Sequence, residues 1–150
     1  LGLLVQNDSI NIKGYIANMF LKKANFAKYG SVSIWLTDTE GGEAKEFELY
    51  NCYGLDGDTL ASYTLPAGEG ESETDYMDVA TVTDRNGITY SKGDYIEATG
   101  KITKFNATYE LNTGCYITKG GELPTGLEAV AVEEKAVKFM QPFLLITKRW

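Results

Sequence analysis

Trp35 and Tyr50 each stand on the polar side of an alternating segment, and Lys22, Lys23 and Lys28 lie upstream in a stretch, Ser9 to Thr37, that holds four lysines and no acid. Flat rings that stack on bases or sugars, with ammonium groups near phosphates, are the tools of single-strand and oligosaccharide recognition. Lys101, much later in the chain, is a further candidate cation. Stacking contributes roughly 1–3 kcal/mol per base, so two platforms and a few cations imply weak, salt-sensitive binding. The plainer reading covers Trp35 with neighbouring chain and leaves the lysines as ordinary solvated charges.

Other chemistries are narrowed by what the chain lacks. It has no histidine, which removes the Ser-His-Asp triad, a Cys/His nucleophile and most zinc sites. It has no G-x-S-x-G and no P-loop, the local signatures of an esterase elbow and a phosphate cradle. Asp38, Thr39, Glu40 and Glu43, and again Asp56, Gly57 and Asp58, resemble fragments of calcium loops. Neither has EF-hand spacing, and hairpin turns favour the same residues, so turn chemistry is preferred. Nothing in the sequence places two carboxylates across one cleft for glycoside hydrolysis. The expectation is a protein that is not an enzyme, with no cofactor and no metal.

Charge is distributed unevenly. The net charge is −7, and the whole excess sits between Gly54 and Thr89, where eight acids face the single base Arg85. A pI near 4.6 argues against a nucleic-acid binder, because phosphate contacts need a basic footprint. An acidic segment of this kind, with Glu69, Glu71, Glu73, Asp75 and Asp78 at its centre, suits a basic protein partner instead, in the limit as a nucleic-acid mimic.

The segments that must position these residues read as strands. Ser9–Phe20 alternates with Ile10, Ile12, Gly14 and Ile16 on one face, and Gly14 in mid-strand predicts a bend or bulge. Leu21–Gly30 reads as a connection. Ser31–Thr37 turns Val32, Ile34 and Leu36 inward and Ser31, Ser33, Trp35 and Thr37 outward. Gly41-Gly42 is a two-residue hairpin signal, followed by Glu46–Tyr53 with Phe47 and Leu49 inward. The acidic insertion, residues 54–89, contains a polar Pro66–Glu71 stretch read as a mobile loop, then a small hairpin around Asn86-Gly87 with type I′ chemistry. Lys92–Ile117 closes the domain as a long hairpin hinged at Asn106-Ala107, with Ile96, Ala98, Gly100 and Ile102 buried on one strand and Tyr109 and Leu111 on the other.

Five strands whose longest excursion falls between the third and fourth match an all-β, five-stranded Greek-key OB-fold barrel. That domain spans residues 1–120, with the insertion at 54–89 and a C-terminal extension over 121–150. Cys52 and Cys115 fall near the ends of the third and fifth strands, neighbours across the closure of such a barrel. There they form either a cross-strand disulfide or two separately buried thiols. At 150 residues the chain can bury a core without a metal. No apolar run approaches the roughly 20 residues of a helical membrane span. Leu1 reads as a processed end or a domain boundary.

The order of several short pieces carries a family resemblance. Lys13-Gly14, then Tyr29-Gly30 leading into Trp35-Leu36-Thr37-Asp38, Phe47-Glu48-Leu49-Tyr50, Gly93-Asp94 opening Ala98-Thr99-Gly100-Lys101-Ile102, and Tyr109-Glu110-Leu111-Asn112 resemble the OB-fold domains of secreted and surface proteins of Bacteroidales. Pro124–Glu128, Lys135–Met140 and Leu144–Arg149 resemble a type IX secretion C-terminal sorting tail. Gln141-Pro142-Phe143 stands where that pattern has an Asn-Gly turn, and the stretch from Leu127 to Met140 also reads as an amphipathic helix. The resemblance implies an extracellular or cell-surface bacterial binding module for an oligonucleotide, a glycan or a protein. Its ligand face would be the second and third strands, with Trp35, Tyr50 and the lysines.

Overall fold

Strand β1 (Ser9–Leu21) is the longest element, and a bulge in its middle lets it serve two neighbours. The computed structural model describes residues 8–105 and 108–124. The hinge expected at Asn106-Ala107 and the sorting-like tail from residue 125 onward lie outside the described residues. The first half of β1 pairs antiparallel with β8 (Tyr95–Phe105), and its second half with β2 (Val32–Thr37). Gly14 permits the crossing, since a Cβ there would lie 2.9 Å from the Thr37 carbonyl oxygen. The pairing with β2 slips between Ile16 and Asn18. Because strand side chains alternate, that single extra residue changes which face the following residues occupy. Ala17, Met19 and Leu21 are buried beyond it, and Asn18 and Phe20 turn outward.

The connection after β1 contains a short helix, α1 (Lys23–Tyr29), ended by Gly30 in the left-handed region at φ 68°. The Gly30 N–H donates to the Phe26 carbonyl, the closing bond of an αL cap. Strand β3 (Phe47–Leu55) pairs antiparallel with β2. The expected two-residue turn at Gly41-Gly42 is corrected. Residues 38–46 lie outside both strands, and the Gly42 N–H to Thr39 carbonyl bond closes a turn inside that loop. DTEGGEAKE offers no apolar residue larger than Ala44 to extend the buried face of either strand.

The expected fifth strand is split into β9 (Thr108–Leu111) and β10 (Tyr116–Lys119), separated by a turn at 112–115. Both pieces pair parallel with β3 and antiparallel with β8. Pairings therefore run from β1 through β2 and β3 to β9 and β10, then to β8 and back to β1. The class is all-β. The described residues hold ten strands and one short helix rather than five strands.

The additional strands come from the acidic insertion. β4 (Leu60–Thr64), β6 (Thr81–Asp84) and β7 (Thr89–Ser91) form a separate three-stranded sheet, and β5 (Met77–Asp78) pairs with the end of β1. The insertion is not a detached arm. Leu60, Met77, Val79, Val82, Ile88 and Tyr90 join the same buried cluster as Ile16, Ile34, Leu49, Ile96, Ile102 and Leu111. Burial of such side chains stabilises by about 1.5–3 kcal/mol each, enough to hold a strongly acidic segment against the main sheet. Pro66–Glu71, expected to stay loose, is tied back where the Tyr63 hydroxyl and Lys23 both donate to Glu71. The hairpin at Asn86-Gly87 forms, but only Gly87 has a positive φ, at 86°. The chain turns from Asp84 to Ile88, and the type I′ assignment, which needs positive φ at both central residues, is corrected.

Candidate functional site

The outer face of β1, β2 and β3 collects most of the aromatic and polar groups a ligand would use. Trp35 is half-buried on β2, between Asn18 of β1 and Glu48 of β3 in the register. Tyr50, also half-buried, follows Glu48 by two residues on the same outward row. Phe20 lies opposite Ser33, and its ring meets Tyr76 edge-on at 5.6 Å. Tyr76 is 53% exposed, and the Lys22 ammonium sits 4.7 Å from its ring centre. The hydroxyls beside Trp35 are less available than the alternation implies. Ser33 is 3% exposed and its Oγ accepts the Asn51 N–H. Thr37 is 2% exposed and accepts the Thr39 N–H.

A carboxyl pair stands next to Trp35. Glu48 of β3 and Glu110 of β9 are direct partners in the parallel register. Burial first, and then the neighbouring Glu110 charge and a hydrogen bond to it, raise the Glu48 carboxyl from 4.5 to about 7. Glu110 is also raised, by burial. With its carboxyl raised to about 7, Glu48 is partly protonated near neutrality and can then donate to Glu110. Carboxyls that share a hydrogen bond are too close for the roughly 5 Å separation of a retaining glycosidase. They can instead accept and donate to hydroxyl groups beside the ring.

This pair makes stability fall as pH rises. The folded state holds the Glu48 proton up to about pH 7 while the unfolded carboxyl releases it near 4.5. Between those values the folded state binds more protons, so the stability contributed below 4.5 is lost as pH climbs through 7. Chemical denaturation at pH 5 and pH 8 is expected to show a loss of about 1–2 kcal/mol from this pair, after allowing for solvent screening at a half-exposed site. Glu48→Gln should flatten that dependence. Identical pH dependence in the two proteins would rule the shared proton out.

The lysines do not converge on Trp35 and Tyr50. Lys23 is held by Glu73 at 2.9 Å and Glu71 at 3.1 Å, which push its ammonium pKa up, Glu73 most. Lys28 lies 5.2 Å from the Tyr29 ring centre, on α1. Lys101 is on β8, opposite Ser9. Only Lys22 reaches the aromatic face, through Tyr76.

The acidic residues are dispersed too. Glu71 and Glu73 share Lys23, Asp78 accepts from the Asn18 amide, and Glu69 and Asp75 are exposed loop residues. At the calcium-like loops, Asp58 accepts from the Asn86 side chain and Asp56 adopts φ 55°. Among the described residues, no cluster of three metal-ligating side chains occurs.

Cys52 and Cys115 are free, buried thiols. The Tyr53 N–H donates to the Cys115 carbonyl at 3.0 Å, which sets Cys115, just before β10, beside the Cys52–Tyr53 segment of β3. Burial, then the neighbouring Cys115, raises the Cys52 thiol, and a raised thiol is a poor nucleophile.

Sequence reasoning missed Asn18, Phe20, Tyr76 and the Glu48–Glu110 pair. The bulge at Ala17 hides the first two, because strict alternation places them inward. The carboxyl pair depends on a parallel register that links residues far apart in the chain. Comparison with protein-family models, with curated proteins and with solved structures gives no match.

Proposed function

We propose that this chain is a non-catalytic binding module of the OB-fold kind, belonging to a secreted or surface-exposed bacterial protein, and that its outer β1–β2–β3 face takes an oligosaccharide. The observation that carries the reading is the Trp35–Glu48–Glu110 row. A ring flanked by carboxyls repels a phosphate backbone and accepts hydroxyl groups. The circuit of pairings through β1, β2, β3, β9 with β10, and β8 supports the OB-like description, since that barrel binds oligosaccharides as well as oligonucleotides on this face. The insertion as a platform for a basic partner is less favoured, because Lys23 already pairs with two of its acids, Glu71 and Glu73.

The test uses Trp35 as its own reporter. The chain has two tryptophans, so Trp150→Phe leaves Trp35 alone. Titration with oligosaccharides from digested plant and host polysaccharides is expected to shift or quench its emission and to leave the sugars uncleaved. A single-stranded oligothymidylate at physiological salt should have no effect. A response to the oligonucleotide with none to any sugar would overturn the proposal.

A further inference from the structure

We propose that a polar cleft between the start of β1, β8 and β10 is a second binding site, built for a monosaccharide-sized anion that carries hydroxyl groups. The cleft encloses about 300 Å³, at the small end of ligand-site volumes. Ser9, Thr99, Lys101, Asn112, Thr113 and Tyr116 supply its polar lining. The register explains why they meet, since Ser9 is opposite Lys101 and Thr99 is opposite Tyr116. The turn between β9 and β10 forms the rim, tied to β8 by the Asn112 N–H to Lys101 carbonyl bond at 2.9 Å. Gly100, Gly114 and Cys115 complete the lining.

The hydrogen-bond inventory of the lining selects the ligand. Asn112, in the lining, accepts the Thr113 N–H at Oδ1, and its amide Nδ2 remains a donor. Thr113 Oγ1 accepts from the Asn51 amide, so its own hydrogen is free to donate. Thr99 Oγ1 donates to the Ile10 carbonyl and keeps its lone pairs for a ligand hydroxyl. Lys101 forms no ion pair among the described residues, while Glu97 on the same strand is paired with Lys119 at 3.9 Å. Among the described residues no carboxylate lines the cleft, although the chain carries a net charge of −7. One cation surrounded by neutral donors suits one anionic group with neighbouring hydroxyls, such as a sugar acid or a sugar phosphate, and does not suit a polyanion.

The site is separate from the Trp35 face, and the experiment keeps the two apart. The full chain is titrated with glucuronate, a hexose monophosphate and glucose, followed by amide-correlation NMR. Both anions are expected to saturate shifts at Thr99, Gly114 and Tyr116, and glucose at the same concentrations to give none. Tighter binding of glucuronate assigns a carboxylate ligand, and tighter binding of the phosphate assigns a phosphate ester. Lys101→Gln, a change at an exposed side chain, should weaken either anion about tenfold or more, and Trp35→Ala should leave both unchanged. Absence of saturable shifts with both anions, equal binding of glucose, or full affinity in Lys101→Gln would overturn the proposal.

Discussion

Gly100→Ala is expected to destabilise the protein by roughly 1–3 kcal/mol, although alanine normally improves on glycine inside a strand. A Cβ at position 100 would lie 2.6 Å from the Cys115 Cβ and 3.1 Å from the Cys115 Cα. Neither atom is the free end of a flexible chain, so relief requires the backbone at the start of β10 to move. That backbone joins β8 to β3, since Tyr116 pairs with both Thr99 and Tyr53. The cost therefore falls on the closure of the pairing circuit. Cys115→Gly in the same chain should recover part of the loss, a coupling that independent sites would not show. Gly70→Ala is the control, because its Cβ would meet nothing within 4 Å and should change stability by less than about 0.5 kcal/mol. Denaturant midpoints for the four proteins decide the matter, and a Gly100→Ala protein as stable as Gly70→Ala would contradict the packing described here.

Asp84→Ala should be more damaging, by about 2–4 kcal/mol, through the loss of a buried acceptor rather than through packing. Asp84 is 2% exposed. Its Oδ1 accepts the N–H groups of Asn86 and Ile88 at 3.0 and 2.9 Å, and its Oδ2 accepts the Tyr90 hydroxyl at 3.3 Å. The Tyr90 oxygen in turn accepts the Leu55 N–H at 3.0 Å, so one carboxylate links the insertion's hairpin to the end of β3. Burial, then the Asp84 charge, raises the Tyr90 phenol and keeps it a hydrogen-bond donor at any physiological pH. Alanine would strand three donors at once. Asp84→Asn keeps an acceptor at Oδ1 and should recover more than half of the loss. Hydrogen exchange should show β4, β6 and β7 losing protection together. A loss of protection confined to the turn, with global stability unchanged, would contradict the role given to Asp84 in docking the insertion.

Much of the main sheet was legible in sequence because its strands alternate cleanly. Val32, Ile34 and Leu36, then Phe47 and Leu49, then Ile96, Ala98 and Ile102 are all buried as their period implies. Trp35 turns outward for the same reason. Three features were not legible. The β1 bulge inverted the faces of Asn18 and Phe20, and Gly14 gave the only hint of a bend. The polar Pro66–Glu71 stretch suggested a mobile loop, whereas Leu60, Val82 and Ile88, with Tyr90 just beyond the insertion, anchor the segment once Asp84 satisfies the turn. The divergence of Lys22, Lys23, Lys28 and Lys101, like the meeting of Glu48 with Glu110, follows from pairings between distant segments that local pattern does not encode.

Calorimetric titration of the wild type and Trp35→Ala, each against an oligosaccharide that shifts Trp35 emission and against single-stranded oligothymidylate, decides whether the Trp35 face selects hydroxyls over phosphates, as proposed. The expected result is saccharide binding weakened about tenfold or more by Trp35→Ala, and no oligonucleotide binding by either protein. Saccharide affinity unchanged in Trp35→Ala, or oligonucleotide bound more tightly than sugar by the wild type, would contradict it.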